Sequence, residues 1–115
     1  MGPLQAMVEE LEYNSAVVGT HISSLKLGAL FLDEQFRLAM GKGAISLLNQ
    51  ELKDAITDAY LEIQYANQRI SRGLSGDKLN WRGAVAEMRE KAPNMAPKIE
   101  TAREKLLTFL GSEED

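Results

Sequence analysis

The sequence predicts an all-α protein, an antiparallel bundle of three long helices with coiled-coil-like packing. Apolar or small residues recur in strict steps of four and three: Leu4, Val8, Leu11, Ser15, Val18, Ile22, Leu25, Ala29, Leu32, Phe36 and Ala39. That spacing lines one stripe of a helix, because 3.5 residues per step nearly matches the helical repeat. Comparable series begin at Ile45 and at Trp81. Alternation of period two, the mark of strands, runs nowhere over a useful length, and the prospective interior favours Leu, Ala and Met over Val, Thr and Tyr.

The first helix is expected over residues 3–41. Pro3 suits a first helical position, where its fixed φ and missing N–H cost nothing, and Gly41-Lys42-Gly43 reads as a short turn between antiparallel helices. Such a helix would be roughly 55 Å long. Its weak stretch holds Asn14, Ser15, Gly19, Thr20, Ser23 and Ser24, all poor helix formers. A first helix ending near Asn14, with Ser15 capping the next, is the alternative. The unbroken apolar phase favours one helix.

The second helix is expected over 44–72, with Ile45, Leu52, Ile56, Ala59, Ile63, Ala66 and Ile70 inward. Arg69 and Arg72 near its end, then Gly73, suit the helix dipole and a C-terminal glycine. Gly73-Leu74-Ser75-Gly76-Asp77 reads as the linker, with Asp77 or Asn80 capping the third helix. That helix is expected over 78–110, with Trp81, Val85, Met88, Ala92, Met95, Ile99, Ala102, Leu106 and Phe109 inward, ahead of an acidic tail at 111–115. Pro93 and Pro97 interrupt it, yet the apolar phase passes through both, so a kink at Pro93 is expected. A full turn after Ala92 would instead make four helices.

With 115 residues, 44% apolar and 26% charged, the chain reads as one domain over 1–115. It has no cysteine, which removes disulfides, thiolate metal sites and thiol catalysis. The net charge of −4 argues against nucleic acid as partner. The most apolar stretch, Leu25 to Leu32, is far shorter than the roughly 20 residues of a membrane span. Met1-Gly2-Pro3-Leu4 lacks the basic region of a secretory signal, so a cytoplasmic location without membrane association is expected.

His21 is the only histidine. As a lone histidine on a small acidic helical chain it resembles the histidine-phosphotransfer proteins, whose phosphorylated histidine is followed at the third position by lysine and then glycine. Here Lys26 comes two positions late, about 140° around the helix from His21. Glu51, Asp54, Asp58 and Glu62 share one helix face. With Glu9-Glu10-Leu11-Glu12-Tyr13 they resemble the all-α nucleotide pyrophosphatases, which hold magnesium with Glu-Glu-x-x-Glu on one helix and Glu-x-x-Asp on the next. Tyr13 stands where the last glutamate belongs, and a hairpin at 41–43 would set Glu10 opposite about residue 74, away from Glu51. Trp81-Arg82-Gly83 is similar to the Trp-x-Gly tripeptide of a family of small secreted helical hairpins, but it lies late in the chain rather than in a central bend. His21 and the acidic row are therefore expected to be solvated polar positions, with no metal, no cofactor and no catalytic residue.

Between Leu25 and Met40 the first helix would be apolar beyond its seam. Leu27, Leu30, Phe31 and Leu38 fall on faces that a three-helix monomer would leave wet. The functional expectation is a non-enzymatic interaction or assembly module, an adaptor, small chaperone or inhibitor. It would pair as a homodimer through Leu27, Leu30, Phe31 and Leu38, a protein partner being the alternative occupant of that face. The rival expectation is phosphotransfer through His21 or magnesium-dependent hydrolysis at the Glu51–Glu62 row.

Overall fold

Among the described residues four α-helices pack together: α1 and α3 lean on α4, and α2 leans on α1. The computed structural model describes residues 2–23, 30–76 and 78–114, the side chains of 20–23, 78–79 and 112–114 excepted. In it α1 spans Pro3–Ser23, α2 Glu34–Gly41, α3 Gln50–Ser75 and α4 Lys78–Glu114, with a 3-10 turn at Ile45–Leu47. The described residues contain no strand, and no helix among them is long and apolar enough to cross a membrane. The molecule measures 52 × 25 × 23 Å.

α4 packs along both α3 and α1. Its pairing with α3 is written on the surface as ion pairs: Glu51 with Lys105, Glu62 with Lys98 at 3.1 Å, and Arg69 with Glu87. Residue numbers fall on α4 as they rise on α3, so the two helices run in opposite directions. Between them lie Leu52, Ile56, Ala59, Ile63, Ala66 and Ile70 of α3 and Met88, Ala92, Met95, Ile99, Ala102 and Leu106 of α4, all buried. These are the expected inward series, with Trp81, Val85 and Phe109 half-buried at its ends. α1 adds Met7, Val8, Leu11, Val17 and Val18 to the same core.

The expected first helix over 3–41 is not continuous. α1 passes through Asn14, Ser15 and Gly19 and is helical to Ser23, but residues 30–33 are non-helical and a separate helix, α2, begins at Glu34. Four helices result, from a break in the first segment rather than from a turn at Ala92. The apolar surplus of 30–40 follows from that break. Residues 30–33 alternate, with Phe31 at 3% exposure inside and Leu30 and Leu32 at 44% and 45% outside. Neighbouring side chains thus point to opposite sides of this non-helical segment.

The second expected helix also starts later than Ala44. Gly43 adopts φ +75°, a left-handed conformation that favours glycine, and turns the chain out of α2. After the 3-10 turn, Asn49 is extended and its Oδ1 accepts from the Leu52 amide at 2.9 Å, so Asn49 is the N-cap of α3. At the other end α3 runs through Gly73, which is buried, to Ser75. Of the expected linker, only Gly76 lies outside a helix among the described residues, and Asp77 falls outside them. A side chain on Gly76 would collide with Asn80, whose amide donates to the Arg72 carbonyl at 3.3 Å. Asn80 thus ties α4 to the end of α3 from inside α4.

Pro93 and Pro97 both lie within α4, which continues through them. Each removes one N–H, leaving the carbonyls of residues 89 and 93 without their helical donors. Arg89, Pro93, Asn94 and Pro97 are exposed, while Ala92, Met95 and Ile99 hold the opposite face in the core. Replacing Pro93 by Ala restores the missing bond at an exposed site. Pro93→Ala is expected to stabilise the chain by about 1–2 kcal/mol, the helix-interior penalty less the unfolded-state entropy that proline removes. Urea denaturation measures this, and a loss of stability would mean that the proline shapes α4 to its neighbours.

Candidate functional site

The most specific arrangement of side chains in the molecule surrounds residues 31–36, which lie as a strap between α1 and α3. Ahead of α2, the backbone of Phe31 and Leu32 is held by side chains instead of by a helix or sheet. Asn67 of α3 accepts from the Phe31 amide at 2.8 Å and donates to the Phe31 carbonyl at 2.9 Å. Asn14 of α1 repeats the pattern on Leu32, with both bonds at 2.8 Å. A carboxamide carries a donor and an acceptor side by side, so it pairs with both polar groups of one residue as a neighbouring strand would. Asn14 is fully buried, and burial without such partners would cost about 1–3 kcal/mol for each orphaned group.

Glu10, one turn before Asn14, secures the other end of the strap. Asp33 occupies the N-cap position of α2 without a side-chain capping bond, because its carboxylate accepts instead from Arg37 Nε and Gln64 Nε2, each at 3.2 Å. The open amides of α2 are taken by Glu10: Gln35 N–H at 2.8 Å and Phe36 N–H at 3.3 Å. Glu10 also accepts from the Tyr60 hydroxyl at 2.8 Å. It is 5% exposed, and its charge is met by three hydrogen bonds and the positive end of a helix. Burial, then the neighbouring Glu10 charge, pushes the Tyr60 phenol far above its ordinary range, so Tyr60 remains a donor. The Phe36 ring stacks on Tyr60 with centroids 4.3 Å apart and planes 9° from parallel.

Chemically this cluster is saturated. Its carboxylate faces hydrogen-bond donors, its phenol is held protonated, and neither Asn carries a free reactive group. The geometry also corrects the expected register. Glu10 meets Tyr60, not a residue near 74, because residues 30–33 are non-helical and α3 begins only at Gln50. From the level of Asn14 and Asn67 the strap returns to the level of Glu10 and Tyr60 before α3 begins.

The other expected site residues are dispersed. His21 lies in α1, its side chain outside the described residues, and Leu27 lies outside them altogether. Phe31, expected on an intermolecular face, is buried within this chain's own core, whereas Leu30 and Leu38 are exposed at 44% and 47%. Glu51 pairs with Lys105, whose hydrogen bond holds its carboxyl below the ordinary range, and the pair lines an open cleft of about 460 Å³ between the start of α3 and the end of α4. Asp54 accepts from Gln50 at 2.8 Å, Glu62 from Lys98 at 3.1 Å, and Asp58 lies exposed beside Lys98 and Pro97. Two of the four, Glu51 and Glu62, thus form one side of an interhelical ion-pair ladder. No group of three acidic or histidine side chains among the described residues is placed to hold a metal ion.

Sequence reasoning missed Asn14, Tyr60, Gln64 and Asn67, and placed Glu10 among solvated acids. The signal was present as spacing: Glu10 and Asn14 are four apart beside Leu11, and Tyr60, Gln64 and Asn67 form a polar stripe in steps of four and three beside the α3 seam.

Glu10→Gln keeps one acceptor oxygen but turns an amide NH₂ toward backbone N–H groups, which only donate. It is expected to cost about 2–4 kcal/mol, more than Tyr60→Phe, which removes a single bond. Urea denaturation at neutral pH tests the order, and the reverse order would deny Glu10 its capping role. A second test concerns acid. Burial raises the Glu87 carboxyl, but hydrogen bonds from Arg69 and Tyr65 outweigh it and hold the group below its ordinary range. Its stabilisation is therefore complete above the unfolded pKa and lost as pH falls through the lower folded value. Glu87→Gln should be less stable than the wild type at pH 7, with the gap closing below about pH 4. A gap unchanged at low pH would assign the loss to packing. Comparison of the chain with protein-family models, curated proteins and solved structures finds no match.

Proposed function

We propose that this chain is a non-enzymatic helical interaction module that pairs with a second copy of itself through the outer side of the strap and α2. One observation carries the reading: Leu30, Leu32, Leu38 and Met40 stand 44–54% exposed within eleven residues of chain, on the very segment that closes the core. The backbone groups of Phe31 and Leu32 are already bonded to Asn67 and Asn14, so what the strap offers outward is apolar surface.

Magnitudes set the strength. Fully burying one such side chain is worth about 1.5–3 kcal/mol, so covering the exposed half gives roughly 1 kcal/mol each. Leu38 and Met40 lie about 200° apart on α2, so one face takes three of the four, and two copies supply about 5–9 kcal/mol before association costs of about 4–15 kcal/mol. The pair is accordingly weak, in the micromolar range or above. Two-fold symmetry, the commonest solution for a soluble homo-oligomer, would bring these residues against their own copies. A cytoplasmic location is part of the reading, supported by a sequence without cysteine. The rival chemistry at Glu51 and Glu62 is disfavoured by their pairing with lysines.

Sedimentation equilibrium from about 1 to 500 µM tests the proposal. Concentration-dependent dimerisation is expected, and Leu30→Asp/Leu38→Asp should weaken it at least tenfold while leaving the circular dichroism spectrum unchanged. A monomer throughout that range would refute self-pairing.

A further inference from the structure

We propose that α2 lies antiparallel on α2 of a second copy, with Leu38 at the two-fold axis and Glu34 of each chain against Lys42 of the other. The inference rests on the self-pairing proposed above and adds its register and the residues that select it.

Glu34, Leu38 and Lys42 follow in steps of four, so they form one stripe along α2, each about 40° around the helix from the last. Lys42 keeps to that stripe although it caps the helix. Its φ of −87° and ψ of −1° stay in the right-handed region, and its N–H bonds to the Leu38 carbonyl at 3.0 Å. All three side chains are exposed, and those of Glu34 and Lys42 have no hydrogen-bond or ion-pair partner among the described residues. Neither is placed to neutralise the other, since eight residues of helix set their backbones about 12 Å apart with Leu38 between them.

A second copy supplies what each charge lacks. When the stripe pairs antiparallel about Leu38, the residue four before it faces the residue four after it on the other chain. Each acid then meets a base, at two equivalent places, and Leu38 meets itself. The parallel arrangement would set Glu34 on Glu34 and Lys42 on Lys42, so the charge pattern excludes one orientation as well as favouring the other. Two further features suit the contact. Gln35 would face Gly41, where even an added Cβ would meet nothing in its own chain, so the two backbones have room to approach. Glu34 and Gln35 flank Leu38 around the helix and line an open cleft with Leu32 and Tyr13, which sets Leu32 beside the stripe. Arg37 lies off the stripe and is already paired with Asp33.

Charge reversal reads the register. Glu34→Lys puts like charges at both contacts, as does Lys42→Glu, and each is expected to raise the dimer dissociation constant about tenfold or more in sedimentation equilibrium. An equimolar mixture of the two variants carries opposite charges at both contacts. It is expected to form a mixed dimer within about threefold of the wild-type constant, reported by a dye on the N-terminal amine of one variant. Charges that served only the dipole of α2 would weaken each variant alone, and mixing would not repair them. The wild type gives a second readout without any substitution: its constant is expected to rise at least about twofold as salt is raised from about 0.05 to 0.5 M. A wild-type dimer unchanged by either reversal or by salt, or a mixture that stays monomeric, overturns this register and leaves self-pairing standing. A wild type monomeric up to about 500 µM overturns both.

Discussion

The constraint on which the fold depends is the need to satisfy the backbone of a non-helical segment inside a helical protein. Buried peptide groups require partners, and helices have none to spare, because their own N–H and C=O groups are already paired. Only side chains can meet the strap. Asn14, Asn67 and Glu10 do so from two helices, and their positions fix where α1 stands relative to α3. Tyr60 adds the direct link, bonding Glu10 across the gap. α4 packs on both helices, and the strap with α2 closes the space that would otherwise separate them.

Polar residues on inner faces make the arrangement specific at some risk to stability. An apolar residue at position 14 would pack, but it would leave the Leu32 amide and carbonyl unpaired, and orphaning buried groups costs more than a good bond returns. Such networks favour one register over its neighbours, since a shift of one residue along the strap breaks every pairing at once. Phe36 and Tyr60 set the same register by a second means, the stacking of their rings.

How much could be read from the chain differs by segment for a physical reason. α3 and α4 are regular, and their heptad seams forecast which residues are buried from Leu52 to Leu106. The two prolines do not disturb that forecast, because the apolar phase continues on the face opposite them. The first segment misleads because its heptad phase also continues, through Leu25, Ala29, Leu32, Phe36 and Ala39, although residues 30–33 are not helical. Leu30, Phe31 and Leu32 form an apolar run, and such a run is compatible with helix or extended chain by periodicity alone. What separates the two is where the partners of its backbone lie, and those are Asn14 and Asn67, 18 and 36 residues away. The acidic row is ambiguous in the sequence for a related reason. An acidic row on one helix looks alike whether it faces water, a metal or the lysines of the next helix, and only α4 decides.

The inner and outer sides of the strap are energetically coupled. Its inner side is held mainly by hydrogen bonds, which contribute modestly in net terms because water competes for the same groups. Its outer side carries Leu30 and Leu32, whose burial by a partner would exclude water from the segment. Anything that binds the docked strap stabilises the docked state by mass action. A partner covering Leu30 and Leu32 would therefore also tighten the strap against Asn14 and Asn67.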